Sequence, residues 1–266
     1  MKIFRGLFFL CMLCVFAGNS FSQNLEALAE KIRSGDVEQK RDALLQIRNL
    51  ESAEASRAAL PALRDPSEIV RATAAFSVIF LPRDEAAQNL LPLLQDKFEL
   101  VRREAVYALG KIRNPSAVKP LVELLQKDKI PDVRNAAAIA LGDIGDAGAI
   151  DALTQILQQK EKDQEEFLRR SAARSIGQIA KINRTKDTSI TEVSPAFRSA
   201  VGALIQILQN PKTLPDVKRE AAFALGAIGD KSAIPVLETN ADSKDYYLAA
   251  ICKDALKKIN AEARTQ

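Results

Sequence analysis

No histidine occurs anywhere in this chain of 266 residues. Zinc sites built on imidazole, Ser–His and Cys–His nucleophile pairs, and the other His-dependent triads are thereby excluded. Tryptophan is also absent and aromatics make up only 5% of the chain. Three cysteines occur, two of them (Cys11 and Cys14) in an N-terminal segment expected to be cleaved, which would leave Cys252 alone with no intramolecular disulfide to make. Neither charge sign is in marked excess, with 38 Lys and Arg against 34 Asp and Glu for a net charge of +4. Nucleic acid is therefore not the expected partner. No apolar run is long enough to span a bilayer, and no G-x-G-x-x-G or Walker pattern occurs, so no phosphate-cradling loop is indicated. No cofactor and no metal site is expected.

What is present begins with a targeting signature. Lys2 and Arg5 precede the apolar run LFFLCMLCVFA (7–17), and Ser20 and Ser22 supply small residues ahead of Gln23. Residues 1–22 are read as a cleaved signal peptide, with the remaining 23–266 as one repeat domain that is periplasmic or extracellular. Cleavage takes away two cations and no acid, so +4 becomes +2.

The rest of the chain repeats. DVRNAAAIALGDIGDAGAI (132–150) returns almost unchanged as DVKREAAFALGAIGDKSAI (216–234). Aligned on Val133, the same register anchors at Gln39, Val70, Val101, Leu168, Val217 and Leu248. Four places on stand Ala43, Ala74, Ala105, Ala137, Ala172, Ala221 and Cys252. Eight and eleven places on come branched residues, among them Leu141 with Ile144 and Leu225 with Ile228. Offsets of 0, 4, 8 and 11 share one face of an α-helix. Small residues at the seventh offset (Ala108, Ala140, Ala224, Ala255) let neighbouring helices approach, and Gly110, Gly142, Gly177 and Gly226 at the ninth serve either a tight helix end or close packing. A second helix follows in most units, as in AVKPLVELLQ (117–126), AIDALTQILQ (149–158) and AVGALIQILQ (200–209). A helical hairpin with one apolar face buries that face by stacking on its neighbours. The expected fold is all-α, a right-handed α-solenoid of about seven helical-hairpin repeats.

This pattern, D-x-x-x-x-V-R-x-x-A-A-x-A-L-G-x-I-G-D-x-x-A-I-x-x-L, resembles the short HEAT-like repeat of phycobilisome lyases across nearly the whole mature chain. The resemblance implies a structural ladder in which an Asp between units and an Arg opening the next helix make polar contacts. The matching positions are Asp65, Asp96, Asp128 and Asp163, with Arg71, Arg102, Arg134, Arg169 and Lys218. Outer units depart, with Lys40 and Ala249 in place of the Arg and Ser34, Lys212 and Ser243 in place of the Asp. HEAT-like deoxyhypusine hydroxylases hold di-iron through His–Glu pairs, which a chain without His does not supply. The resemblance leaves a lyase-like enzyme or enzyme subunit as the alternative function.

Other motifs are read as structure. Ser116-Ala-Val-Lys119 has the S-x-x-K form of β-lactamase nucleophiles but no S-D-N or K-T-G partner, and Ser116 is read as a helix cap. Glu165 and Glu166 lie in the charged run KEKDQEE (160–166), read as a solvated turn, and Cys252 as a buried small residue. A polar insertion near 183–195 is read as a surface loop, and Asn183-Arg184-Thr185 within it has the form of a glycosylation sequon. What remains is surface. Glu123, Gln155 and Gln206 recur at one place on the second helices, and Gln126, Gln158 and Gln209 recur three residues later. In HEAT-type stacks the second helices line the concave side. The expected function is therefore an interaction scaffold that binds another protein through these six residues, without catalysis. Nothing in the sequence names that partner or sets the oligomeric state.

Overall fold

The structure, a computed structural model, describes residues 22–159, 166–186 and 195–263. Among these residues there are helices and turns and no strand. The first α-helix, α1, spans 22–34. It is followed by α2 (Val37–Asn49), α3 (Ala53–Ala59), α4 (Glu68–Ser77), α5 (Arg83–Leu90), α6 (Glu99–Ile112) and α7 (Val118–Lys127). Then come α8 (Pro131–Ile144), α9 (Ile150–Gln158), α10 (Glu166–Lys186), α11 (Pro195–Gln209), α12 (Pro215–Ile228), α13 (Ile234–Ala241) and α14 (Tyr246–Ala263). Even-numbered helices carry the repeat anchors and are called A helices; odd-numbered ones are the second, B helices. The protein is an all-α solenoid of about seven hairpin repeats. B helices pack on the A helix that follows them, as α7 on α8 and α13 on α14.

Two compact units divide the chain, one ending at Ala108 and one beginning at Leu109. In the first, Leu44 and Ile47 of α2 pack with Val70, Ala74 and Ala75 of α4, all fully buried. The B helices here are broken: α3 and α5 give way to 3₁₀ segments at Leu60–Arg64 and Leu91–Gln95, each with a proline (Pro61, Pro92) in its first turn. Proline has no N–H to donate, and its ring collides with the carbonyl four residues back. Gln39, the one polar anchor, has a local task. Its side-chain oxygen accepts from the Asp36 N–H at 3.1 Å, while Asp36 accepts from the Gln39 N–H at 2.9 Å, a reciprocal cap on α2.

The second unit shows what the small residues are for. Successive A helices α8, α10, α12 and α14 pack directly on one another. Each ninth-offset glycine faces the seventh-offset residue of the next A helix. A Cβ added to Gly110 would lie 3.0 Å from Ala140 Cβ, and one on Gly226 would lie 2.7 Å from Ala255 Cβ. On Gly142 it would meet Ser175 Oγ at 2.6 Å, and on Gly177 the Ala224 Cα at 2.9 Å. Of the two roles expected for these glycines, close packing is the one found. Where the seventh-offset residue is serine, its hydroxyl spans the same short gap. Ser175 donates to the Ala138 carbonyl at 2.8 Å, and Ser77 of the first unit donates to the Leu44 carbonyl at 2.9 Å.

The tight helix ends lie three residues further on. Gly145 and Gly229 close α8 and α12 in the left-handed region at φ +76°, and at the equivalent places Glu51 and Arg113 have φ +47° and +53°. The fifth repeat differs, because α10 runs on for 21 residues to Lys186. Asn183 lies inside that helix and donates both to the Gly145 carbonyl at 3.0 Å and to Ile179 O at 2.8 Å. Its amide thus ties α10 to the end of α8. Residues 183–186, expected as loop, are helical, and of the expected loop only Pro195 is otherwise described.

Gly145 and Glu51 test this description of the helix ends from opposite sides. A Cβ at Gly145 would be strained by its φ and would lie 2.7 Å from Ile182 Cδ1. Gly145→Ala should lower unfolding stability by about 1–3 kcal/mol. Exposed Glu51 holds the same conformation at the cost of its own Cβ, so Glu51→Gly should raise stability by about 0.5 kcal/mol. Urea unfolding followed by circular dichroism reads both.

Candidate functional site

Helices α7, α9 and α11 are strongly amphipathic. Their leucines and isoleucines (Leu121, Leu124 and Leu125; Leu153, Ile156 and Leu157; Leu204, Ile207 and Leu208) are buried. The residues between them point outward by the 3.6-residue period. Glu123, Gln126, Gln155, Gln158, Gln206 and Gln209 are all exposed. Gln126 Nε2 donates to Gln155 Oε1 at 3.1 Å, so the end of one B helix meets the middle of the next. Beside this row Gly202 opens the surface, with nothing within 4 Å of the place its Cβ would occupy. The six side chains offer amide donors and acceptors and a single charge, that of Glu123.

The ladder residues divide into turn makers and ties between repeats. Asp65, Asp96 and Asp128 each accept the backbone N–H two residues on, at 2.9, 2.9 and 2.8 Å, and so shape the turn into the next A helix. Arg71 pairs forward, not with Asp65. Its Nε and Nη2 donate to the Asp96 carboxylate at 2.7 and 3.0 Å, while Nη1 donates to the Asp65 and Pro66 carbonyls at 2.7 and 3.0 Å. Lys40 makes the same forward tie to Asp65 at 2.7 Å. Arg102, Arg134 and Arg169 donate to the carbonyls of Asp96, Leu125 and Leu157, the last at a longer 3.4 Å. Asp163 lies outside the described residues.

In the last repeats the tie moves by one residue. Arg219, next to Lys218, pairs with Asp245 at 2.9 Å, while Ser243 and Asn210 take over the turn-making bonds, to the Asp245 and Lys212 N–H groups. Burial pushes the Asp96 carboxyl upward, but the Arg71 guanidinium and the Phe98 N–H outweigh it and hold its pKa below the ordinary aspartate value.

Two local readings are corrected: Glu166, expected in a solvated turn, opens α10, and Ser116 is not the cap. The cap before α7 is Asn114, whose Oδ1 accepts from the Ser116 N–H at 2.9 Å; Ser116 itself sits inside a 3₁₀ turn, and Ser116 and Lys119 are both exposed. Cys252 is fully buried, and burial pushes its thiol up to about 11. Glu165 lies outside the described residues. Among the described residues no three His, Cys, Asp or Glu side chains gather in a metal-binding group, and no helix is long and apolar enough to cross a membrane. A half-open depression of about 480 Å³ lies on the A-helix side of the second unit, floored by Phe223, Ile251 and Ala255. Four of its rim residues pair with one another, Arg174 with Glu220 at 3.0 Å and Lys258 with Asp254 at 2.6 Å, while Arg219 pairs outward with Asp216 and Asp245. Sequence reasoning missed this depression, because its floor residues read only as packing positions.

The family model for HEAT repeats matches residues 87–177 and 161–257. The chain belongs to the HEAT-repeat family. Among solved structures, an engineered protein is similar to this HEAT chain with a TM-score of 0.58 at 23% identity, over 89% of this chain and 68% of its own. The complex of CpcE and CpcF of phycocyanin lyase from Nostoc is similar with a TM-score of 0.50 at 20% identity, over 90% of this chain and 92% of that one. A designed armadillo repeat protein is similar with a TM-score of 0.51 at 19% identity, over 89% and 100%. These likenesses establish the fold. Deoxyhypusine hydroxylase of Gallus gallus is 36% identical over 62 residues, 23% of this chain and 21% of the hydroxylase, so the match spans about a fifth of that protein.

The periplasmic or extracellular location expected from residues 1–22 finds no support in these relatives, a phycocyanin lyase and a deoxyhypusine hydroxylase, and is withdrawn. The expectation rested on two cations and a short apolar run, a pattern of composition that carries no fold information. Residues 1–21, which hold nearly all of the expected signal, lie outside the described residues.

The Arg71–Asp96 tie sets a pH dependence. Asp96 has a lowered folded pKa, so its contribution is complete above the ordinary aspartate range and is lost as pH falls through the lowered value. Arg71→Ala, which leaves a largely buried carboxylate unpaired, should cost about 3 kcal/mol at pH 7. Its loss of stability below about pH 4 should be shallower than that of the unsubstituted protein. Thermal melts between neutral and acid pH measure both effects.

Proposed function

We propose that this HEAT-repeat chain is a protein-binding subunit that holds its partner along the exposed face of α7, α9 and α11 and has no catalysis of its own. The observation that carries the reading is the row from Glu123 to Gln209: six exposed polar side chains at equivalent places on three successive B helices, with Gln126 bonded to Gln155. Equivalent side chains at repeat spacing suit multipoint recognition of an extended surface on a partner. Such recognition costs little ordering where the helices already hold the side chains in place.

A second reading, a lyase-like enzyme or enzyme subunit, draws on the named relatives. A phycocyanin lyase and a hydroxylase stand among them, and the comparisons lean toward this alternative more than toward a bare scaffold. A subunit that binds the protein on which an assembly acts satisfies both readings. The two part only over whether the purified chain turns over a substrate by itself.

Changing Glu123, Gln155 and Gln206 together to Lys places three cations on this face without touching the core. The unsubstituted chain, used as bait in a cell extract, should retain a specific partner, and the triple variant should lose it by about tenfold or more. Equal retention by both, or no specific partner for either, would remove the binding proposal. Turnover by the isolated chain would establish the enzyme reading instead.

A further inference from the structure

The B face is not the only surface with a pattern. Among the described residues eight large apolar side chains are exposed, and seven of them fall within three positions before a repeat anchor: Val37, Ile69, Phe98, Phe167, Leu214, Tyr246 and Tyr247. They stand where the chain leaves a B helix and enters an A helix. In the second unit this edge is richest in aromatics, with Phe167 68%, Tyr246 79% and Tyr247 66% exposed. Apolar residues scattered singly over a surface need no explanation, but placement at one register of successive repeats does.

Polar contacts join the edge across three A helices. Arg170 of α10 stands over the Phe167 ring at 5.4 Å and reaches Asp216 of α12 at 3.8 Å. Asp216 binds Arg219 at 2.7 Å, and Arg219 binds Asp245 at 2.9 Å. Arg219 also stands over the Tyr247 ring at 5.2 Å, and that ring meets Tyr246 edge to face at 5.9 Å. Aromatic rings held by arginines supply the contacts that most often dominate a protein interface. The charges point to the partner's sign. The three segments forming this edge, 166–170, 210–219 and 242–247, carry six Lys and Arg against four Asp and Glu. The carboxylates Asp216 and Asp245 are engaged by arginines, whereas among the described residues exposed Lys212 and Lys244 make no ion pair, against one such exposed carboxylate, Asp242.

We propose that this edge of α10, α12 and α14 is a second docking surface, separate from the B-helix face, for an acidic segment of a partner protein whose apolar side chains stack on Phe167, Tyr246 and Tyr247. A nucleic-acid strand suits it less well, because Asp216 and Asp245 stand among the rings and the excess of positive charge is small.

The test uses the full-length chain and a random peptide display library, selected in parallel on the unsubstituted protein and on Phe167→Ala/Tyr246→Ala/Tyr247→Ala. The three side chains are exposed, so the variant should keep its melting curve. Selection should enrich peptides that combine Asp or Glu with Leu, Phe or Tyr. These should bind the variant about tenfold more weakly, weaken again on Lys212→Glu/Lys244→Glu, and keep their affinity for the variant with Glu123, Gln155 and Gln206 changed to Lys. Enrichment of basic peptides, equal binding to the alanine variant, no enrichment, or preferential binding of an oligothymidine probe would each overturn the proposal.

Discussion

The contact between a glycine on one A helix and a small residue on the next constrains everything else in this solenoid. At Gly110, Gly142, Gly177 and Gly226 even a methyl group would come within about 3 Å of the neighbouring helix. That closeness sets how near α8, α10, α12 and α14 lie, and it lets serine replace alanine only where its hydroxyl finds a backbone carbonyl, as Ser175 finds that of Ala138. In the first unit, Arg and Asp ties link successive turns. Arg71 grips both the turn behind it and the carboxylate of the repeat ahead, so a single guanidinium links two turns.

Function has to use what this packing leaves over. On each B helix the core takes the leucine face, which leaves the Glu123 and Gln126 positions and their equivalents to solvent. Phe167, Tyr246 and Tyr247 stand in the first turns of α10 and α14, one or two places before the buried anchors Leu168 and Leu248, and so their rings gather at one register outside the core. The depression near Phe223 is lined by the small Gly226 and Ala255, and its charged rim is already engaged in ion pairs.

The repeat was legible because packing dictates it. Val133, Leu141 and Ile144 recur at fixed offsets and are buried, and the alanines four places after an anchor, Ala43 behind polar Gln39 included, are fully buried. The pattern frays in the last described A helix, where Leu256 is half-buried. The small row at the seventh offset was only half visible, since Ser77 and Ser175 break the run of alanines and join it only through their bonds to backbone carbonyls. The shift of the last tie from Lys218 to Arg219 was hidden because it depends on which side chain reaches Asp245 in space. Helix ends misled for a related reason, since Asn183 has loop chemistry but spends its amide inside α10. The candidate binding row was visible as a repeat of letters, but exposed residues answer to no packing constraint, so the fold does not reveal what they bind.

The most direct test of the account is a double-mutant cycle across one small-on-small contact, Gly142→Ala with Ser175→Gly. A Cβ on Gly142 would meet Ser175 Oγ at 2.6 Å and Cβ at 2.8 Å, and both atoms leave with the second change. If close approach of the A helices governs the stack, the two changes should couple favourably by about 1 kcal/mol or more in urea unfolding, with Ser175→Gly costing less in the Gly142→Ala background than alone. Costs that simply add, to within about 0.5 kcal/mol, would contradict it.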